Sequence, residues 1–298
     1  MLYGALEAGG TKMICAVGNE DGQILDQTSI PTSTPDETMP AIISYFSGRL
    51  GHDNPEDNIA ALGIACFGPV DVRKSSKTYG NILYTPKIPW RNFPIVNCLK
   101  DALGNLPIGF DTDVNGSLLG EATWGTAKGL TDAVYFTIGT GIGMGAMSGG
   151  NLIHGMLHPE AGHIKLSVLP EDNYAGHCPN HATCFEGMAC GPAIQTRWGK
   201  PAQELREMPE VWDMEAKYIA QALTSIIYVL SPQKIILGGG VMGQTQLFPL
   251  IRKYVLEYIN GYLDTKELRN INNYIVPAAL NGNQGIMGAL KLAELAAN

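Results

Sequence analysis

Residues 2–17, LYGALEAGGTKMICAV, decide how the rest of the chain is read. Residues 2–7 and 12–17 have strand composition, and Ala8-Gly9-Gly10-Thr11 between them leaves room only for a tight reversal. Residues 23–30 supply a third strand, so the chain opens on a β-meander. Thr34-Pro35-Asp36-Glu37 then has the form of a capping box with proline at the first helical position, predicting a helix to about Leu50. Residues 59–66 are a continuous apolar run, as expected of a strand covered on both faces. A proline-rich loop (69–94), a helix through Leu103 and a strand over 107–111 follow. Three meandering strands followed by strand–helix alternation predict a mixed sheet with helices on both faces.

The same order recurs. Residues 133–137 and 144–147 are strands around the turn Gly139-Thr140-Gly141-Ile142-Gly143, and Ser148-Gly149-Gly150-Asn151 makes the next hairpin. A long helix is expected over 210–230, with Val211, Met214, Tyr218, Ala222, Ile226 and Val229 on one stripe. A strand over 234–237 ends in Gly238-Gly239-Gly240, and helix (244–259), strand (274–278) and helix (284–297) complete the repeat. The expected domains are 1–113 and 114–284, with the last helix, about 285–298, packing back on the first.

A chain of 298 residues accommodates two such cores. Charged residues are 16% of the total and the net charge is −8, which argues against the basic face of a nucleic-acid binder. No apolar run approaches the roughly 18 residues of a membrane span. Six cysteines without a signal peptide predict a reducing, cytoplasmic compartment, and Cys15 and Cys66 fall inside strand patterns as core thiols.

Chemistry concentrates in residues 159–187, PEAGHIKLSVLPEDNYAGHCPNHATCFEG, inserted before the long helix. Cys178, His181 and Cys184 form a C-x2-H-x2-C row. His163, at the start of a strand expected over 164–168, is the fourth candidate ligand, and His177 is the alternative. Two thiolates and two imidazoles suit tetrahedral zinc, and four protein ligands leave no open position, so such a zinc is structural. It would pin the loop so that Glu160 and Glu186 point at one place. The alternative is a scatter of polar loop residues, or a disulfide.

Two glycine turns occupy equivalent places in the repeat. Gly9, Gly10, Thr11 and Lys12 form one; Gly139, Thr140 and Gly141 form the other. Such hairpins bring backbone N–H groups against phosphate oxygens, although each is also simply a tight turn. The second is not a dinucleotide fingerprint, because it joins strand to strand. Asp111-Thr112-Asp113-Val114-Asn115 ends a strand and opens a helix expected over 114–124. Asp113 stands there either as a helix cap or as a general base.

EAGGTK, DTDVNG, TIGTGIG, PEAGH, HCPNHATCFEG with GPAI after it, and LGGGVM follow one another through nearly the whole chain. In that order they resemble the ROK family of sugar kinases and repressors. The C-x2-H-x2-C row, EAGGTK and TPKIPW look most like its bacterial fructokinases. The resemblance implies an α/β, duplicated ribonuclease-H-like fold of the actin-like ATPase and hexokinase type, with two domains around a cleft. It implies ATP, magnesium and a hexose as ligands, fructose first among hexoses, with a glucose, mannose or N-acylhexosamine kinase as the alternative. By motif, Asp113 would be the base for the sugar 6-hydroxyl. Asn115, Glu160, His163 and Glu186 would line the sugar site. Thr11 and Thr140 would meet ATP phosphates, and Pro192, Gly238, Gly239, Gly240, Val241 and Met242 would border the adenosine. Glu7 stands where the family has aspartate, and His181 where it has a third cysteine. A repressor would need a DNA-binding segment ahead of the first strand, whereas here Met1 is followed at once by that strand. A homodimer is the default assembly.

Overall fold

The computed structural model describes residues 1–104 and 106–298. Strands β1 (Leu2–Ala8), β2 (Lys12–Asn19) and β3 (Ile24–Pro31) form the antiparallel meander. After α1 (Pro35–Ser47), β4 (Ile59–Cys66) pairs in parallel with β1. After α2 (Ile95–Leu103), β5 (Ile108–Thr112) pairs in parallel with β4 and runs directly into α3 (Asp113–Thr123). The sheet order is β3-β2-β1-β4-β5.

The second half repeats this plan. Strands β6 (Ala133–Ile138), β7 (Ile142–Ser148) and β8 (Asn151–Leu152) form a meander. Helices α4 (Phe185–Ala189), α5 (Gly191–Trp198) and α6 (Pro209–Leu230) precede β9 (Lys234–Gly238), which is parallel to β6. Helices α7 (Leu247–Ile259), α8 (Lys266–Arg269) and α9 (Ile271–Tyr274) lead to β10 (Ile275–Pro277), and α10 (Gln284–Ala297) ends the chain. Their sheet runs β10-β9-β6-β7-β8. Taken from its third strand, that order is third, second, first, fourth, fifth, as in the first sheet. Two mixed sheets of one topology constitute the duplicated fold.

The chain forms two compact units. The first holds Met1–Gly129, Leu152–Pro159 and Ala279–Asn298; the second holds Leu130–Asn151 and Glu160–Ala278. Thus α3, which the sequence reading put after its boundary at 113, groups with the first unit, as does α10.

Side-chain alternation explains the first unit. Along β4, Leu62, Ile64 and Cys66 join Ile42 and Phe46 of α1 and Val96 and Leu99 of α2 in one core. The intervening Ala61 and Ala65 face Ile286, Ala289 and Ala293 of α10. Small residues on that face let α10 lie almost on the sheet: a Cβ on Gly63 would stand 1.8 Å from the Ala289 carbonyl oxygen. Where α10 crosses α3, a Cβ on Gly288 would stand 1.7 Å from the Gly116 carbonyl oxygen.

Several local expectations are corrected. Thr34 is the N-cap of α1 but its side chain caps nothing; Ser33 instead donates to the Glu37 carboxylate. Helix α1 stops at Ser47 and α7 starts at Leu247. Val229 at the end of α6 is 77% exposed, while Trp212 and Ile219 join the buried stripe. No strand forms over 164–168; a 3-10 turn (Ala161–His163) precedes a single bridge between Lys165 and Cys184. Tyr274 belongs to α9, and β10 has three residues. All six cysteines are free. Among the described residues no helix is long and apolar enough to cross a membrane.

Candidate functional site

The first unit brings together β1, the turn after it and the start of α3. Gly9 N–H donates to the Lys12 carbonyl (3.1 Å), and the Thr32 hydroxyl donates to the Gly9 carbonyl (2.8 Å). Thr32 N–H donates to the Thr11 carbonyl, so the Gly9–Lys12 turn is tied to the end of β3. Lys87, from the TPKIPW segment, lies over the turn: a Cβ on Gly10 would stand 3.0 Å from its Cε.

Helix α3 is capped by Thr112, whose hydroxyl accepts from Asn115 N–H (3.1 Å). Asp113 is therefore not the cap. One of its oxygens takes the adjacent Val114 N–H (2.9 Å), and burial pushes the carboxyl up to about 6. Glu7, at the end of β1, is pushed up to about 7, first by burial and then by the charge of Asp113. Glu7 Oε2 is buried without a hydrogen-bond partner. Asn115 is fully buried, with its amide donating to Asp111 Oδ1 (2.7 Å).

The second unit contains the loop of residues 159–187. His163, Cys178, His181 and Cys184 present four ligand atoms within 4.8 Å of one another. Cys178 Sγ lies 3.9 Å from His163 Nδ1 and 3.6 Å from His181 Nδ1, and Cys184 Sγ lies 3.6 Å from His163 Nδ1. A tetrahedral cation with ordinary nitrogen and thiolate bond lengths spaces those atoms about 3.6 Å apart. The group therefore fits a metal of that kind. His177 is not part of it; its N–H donates to the Gly187 carbonyl. Burial pushes the Cys184 thiol up to about 11, and a bound cation reverses this by favouring thiolate.

Two of the ligands stand at the ends of the elements beside the carboxylates. His163 closes the 3-10 turn that begins after Glu160, and its N–H donates to the Glu160 carbonyl (3.0 Å). Gly162 allows that turn to sit against β7, since a Cβ there would be 1.9 Å from the Ile142 carbonyl oxygen. Cys184 is the N-cap of α4, and Glu186 lies in the first turn of that helix. Glu160 is exposed; Glu186 Oε2 accepts from Ile142 N–H (2.9 Å), beside Gly141.

Three separate segments of the second unit meet at the second glycine turn. Gly191 N–H, at the start of α5, donates to the Gly139 carbonyl (2.7 Å). A Cβ on Gly139 would lie 3.5 Å from Gly240 N, and one on Gly191 would lie 3.9 Å from Val241 Cγ2. Gly239 has φ +89° and its backbone presses on Ile138, which suits glycine alone. Gly139, Thr140, Gly141, Pro192 and the 238–242 stretch thus gather at one end of the sheet, with Thr140 exposed and Val241 and Met242 buried.

The profile of the ROK family matches residues 3–296. The chain belongs to the ROK family. It is 51% identical over 296 residues to a putative fructokinase of Bacillus subtilis, covering 99% of this chain and 96% of that one. It is 45% identical to a fructokinase of Pediococcus pentosaceus, with 99% of each covered. The ROK family glucokinase of Streptomyces griseus, solved in complex with glucose and AMPPNP, is 26% identical, with a TM-score of 0.75 over 99% of this chain and 100% of that one.

Within this ROK chain, Asp111 was named in the sequence without its role as partner of His154 and Asn115, and His154 and Lys87 were given no role. The spacing of His154 and His158 in HGMLH was the available signal for one of them. Lys87 stands inside the TPKIPW segment, but its proximity to Gly10 arises only in the fold.

Proposed function

We propose that this ROK protein is a fructokinase that transfers the γ-phosphoryl group of ATP to the 6-hydroxyl of D-fructose. The observation that carries the chemistry is Asp113, a carboxylate freed from capping by Thr112 and tuned by burial to about 6. A general base works best with a pKa near the operating pH, because it is then ionised yet still basic. Fructose as the sugar is supported by fructokinase relatives at 51% and 45% identity, against 26% for the glucokinase.

In this reaction the fructose 6-oxygen attacks the γ-phosphorus, the bond to the ADP oxygen breaks, and the hydroxyl proton passes to Asp113. Phosphoryl transfer asks the protein for positioning and charge stabilisation more than for covalent chemistry. The N–H groups of Gly9–Lys12 and of Gly139–Gly141, with the Thr11 and Thr140 hydroxyls, would receive phosphate oxygens. Pro192 and residues 238–242 would border the adenosine. Magnesium bound with ATP would offset the β- and γ-phosphate charge, and Glu7, with its unpartnered buried oxygen, is the carboxylate disposed toward it.

Zinc is the cation we assign to His163, Cys178, His181 and Cys184, on the soft donor set and the close approach of its four ligand atoms. Its role is structural: it would fix the turn after Glu160 and the start of α4 bearing Glu186, which line the sugar with His163. Asn115 acts through Asp111 rather than by contact, given its burial. The test is direct: purified protein with ATP and magnesium should convert fructose to fructose 6-phosphate. Absence of that product, with the protein folded and metal-loaded, refutes the assignment.

A further inference from the structure

Residues Leu152–Pro159 lie in sequence between two parts of the second unit, yet they pack with the first. Two histidines attach them. Buried His158 accepts the Val70 N–H on Nε2 (3.1 Å), which already anchors the segment. His154 Nε2 lies 2.8 Å from Asp111 Oδ2. Asp111 is only 3% exposed, and its other oxygen takes Thr112 N–H (2.8 Å) and the Asn115 amide (2.7 Å). A buried carboxylate with three partners is far more than an anchor for a surface histidine requires, since exposed ion pairs contribute little to stability.

The direction of the ring is informative. A carboxylate can only accept, so Asp111 places the proton on His154 Nε2. Both recorded contacts of the ring, to Asp111 and at 3.4 Å to the Asn115 amide, are made by Nε2, so Nδ1 has no hydrogen-bond partner among the described residues, on a side chain that is 35% exposed. Asp111 comes two residues before Asp113 and Asn115 two residues after it, so the oriented imidazole stands at the helix start that carries the proposed base. Asn115 is sealed beneath. His154 is the outermost member of the series Asn115–Asp111–His154.

We propose that His154 is a sugar-contacting residue, with Nδ1 binding one hydroxyl of the hexose, and that Asp111 is the positioning residue that fixes its tautomer and ring plane. This rests on the kinase reading above. The hydrogen bond to Asp111 holds the His154 pKa above its ordinary value. Both protonation states nevertheless suit the role, because a sugar hydroxyl donates to a bare Nδ1 and accepts from a protonated one.

The test compares wild type, His154→Ala and His154→Gln by steady-state kinetics, and by calorimetric titration with fructose in the absence of nucleotide. His154→Ala should raise the fructose KM and Kd about 10- to 100-fold while the ATP KM stays within about twofold, the range for losing one charge-assisted hydrogen bond. His154→Gln keeps a donor and an acceptor and should recover part of the loss. Asp111→Asn should weaken fructose without the same effect on ATP, and thermal denaturation checks that it is folded. An unchanged fructose KM in His154→Ala, or equal losses for both substrates, overturns the assignment. Wild type that phosphorylates no hexose overturns the parent reading instead, so the two failures are separable.

Discussion

Asp113 begins α3 without capping it, and that separation of duties is what makes the residue testable. If it is the base, Asp113→Asn removes proton acceptance and keeps shape, and kcat should fall about 10²- to 10⁴-fold with fructose and ATP affinities nearly unchanged. Asparagine is as good a cap as aspartate, so a capping role predicts surviving activity. The pH profile follows from the same burial. The base must be ionised, so kcat/KM should rise with pH through about 6 and level off above it. Stability moves the other way: the ordinary value of 3.8 is raised on folding, so this group costs stability as pH climbs from about 4 to about 6. Asp113→Asn should therefore gain more in Tm over wild type at pH 8 than at pH 5, read by thermal melts at both. Position alone left cap and base undecided, because Thr112 and Asp113 are both good N-cap residues, and only the motif resemblance chose the base. Only the bond from Asn115 N–H to the Thr112 hydroxyl separates them.

At the scale of elements, the loop of residues 159–187 is held at two places. The metal group holds one. At the other, Arg197 of α5 pairs with Asp172 of the loop (3.3 Å) and with Glu215 of α6 (2.5 Å), all three side chains buried, and its guanidinium stacks over Tyr174. Cys178→Ser and Cys184→Ser should lose a metal present at one per chain in wild type, and fructose affinity should fall before ATP affinity. Elemental analysis with paired titrations reads both. Arg197→Met leaves Asp172 and Glu215 buried without their cation and should cost about 3–5 kcal/mol in urea denaturation, the usual penalty for breaking a buried pair from one side. The C-x2-H-x2-C row was legible because its ligands are neighbours in sequence. His163 was the first choice for the fourth ligand and His177 the alternative; the group contains His163, whose place there depends on a turn packing against β7. The strand expected over 164–168 failed for a related reason. The apolar spacing there is real, but the backbone pairs only briefly with residues 183–185, through Phe185 N–H to the Ile164 carbonyl and Leu166 N–H to the Thr183 carbonyl.

For the whole molecule, the duplication was legible in the order of elements, because strand period, glycine turns and helix length survive where sequence identity between halves does not. The meeting of Gly139, Gly191 and Gly240 was not legible from spacing, since close backbone approach between distant segments leaves only a glycine as its trace. The spacing in HGMLH marked His154, but its partner Asp111, at the end of β5, is found only in the fold. What the sequence carried furthest was the ordered set of motifs, which the match of the ROK family to residues 3–296 makes explicit. The sugar is the central claim, and a panel of hexoses assayed with ATP and magnesium tests it most directly. The kcat/KM for D-fructose should exceed those for D-glucose, D-mannose and N-acetyl-D-glucosamine, with fructose 6-phosphate as product. A higher kcat/KM for any of the other three, or phosphorylation of fructose at another hydroxyl, would contradict it.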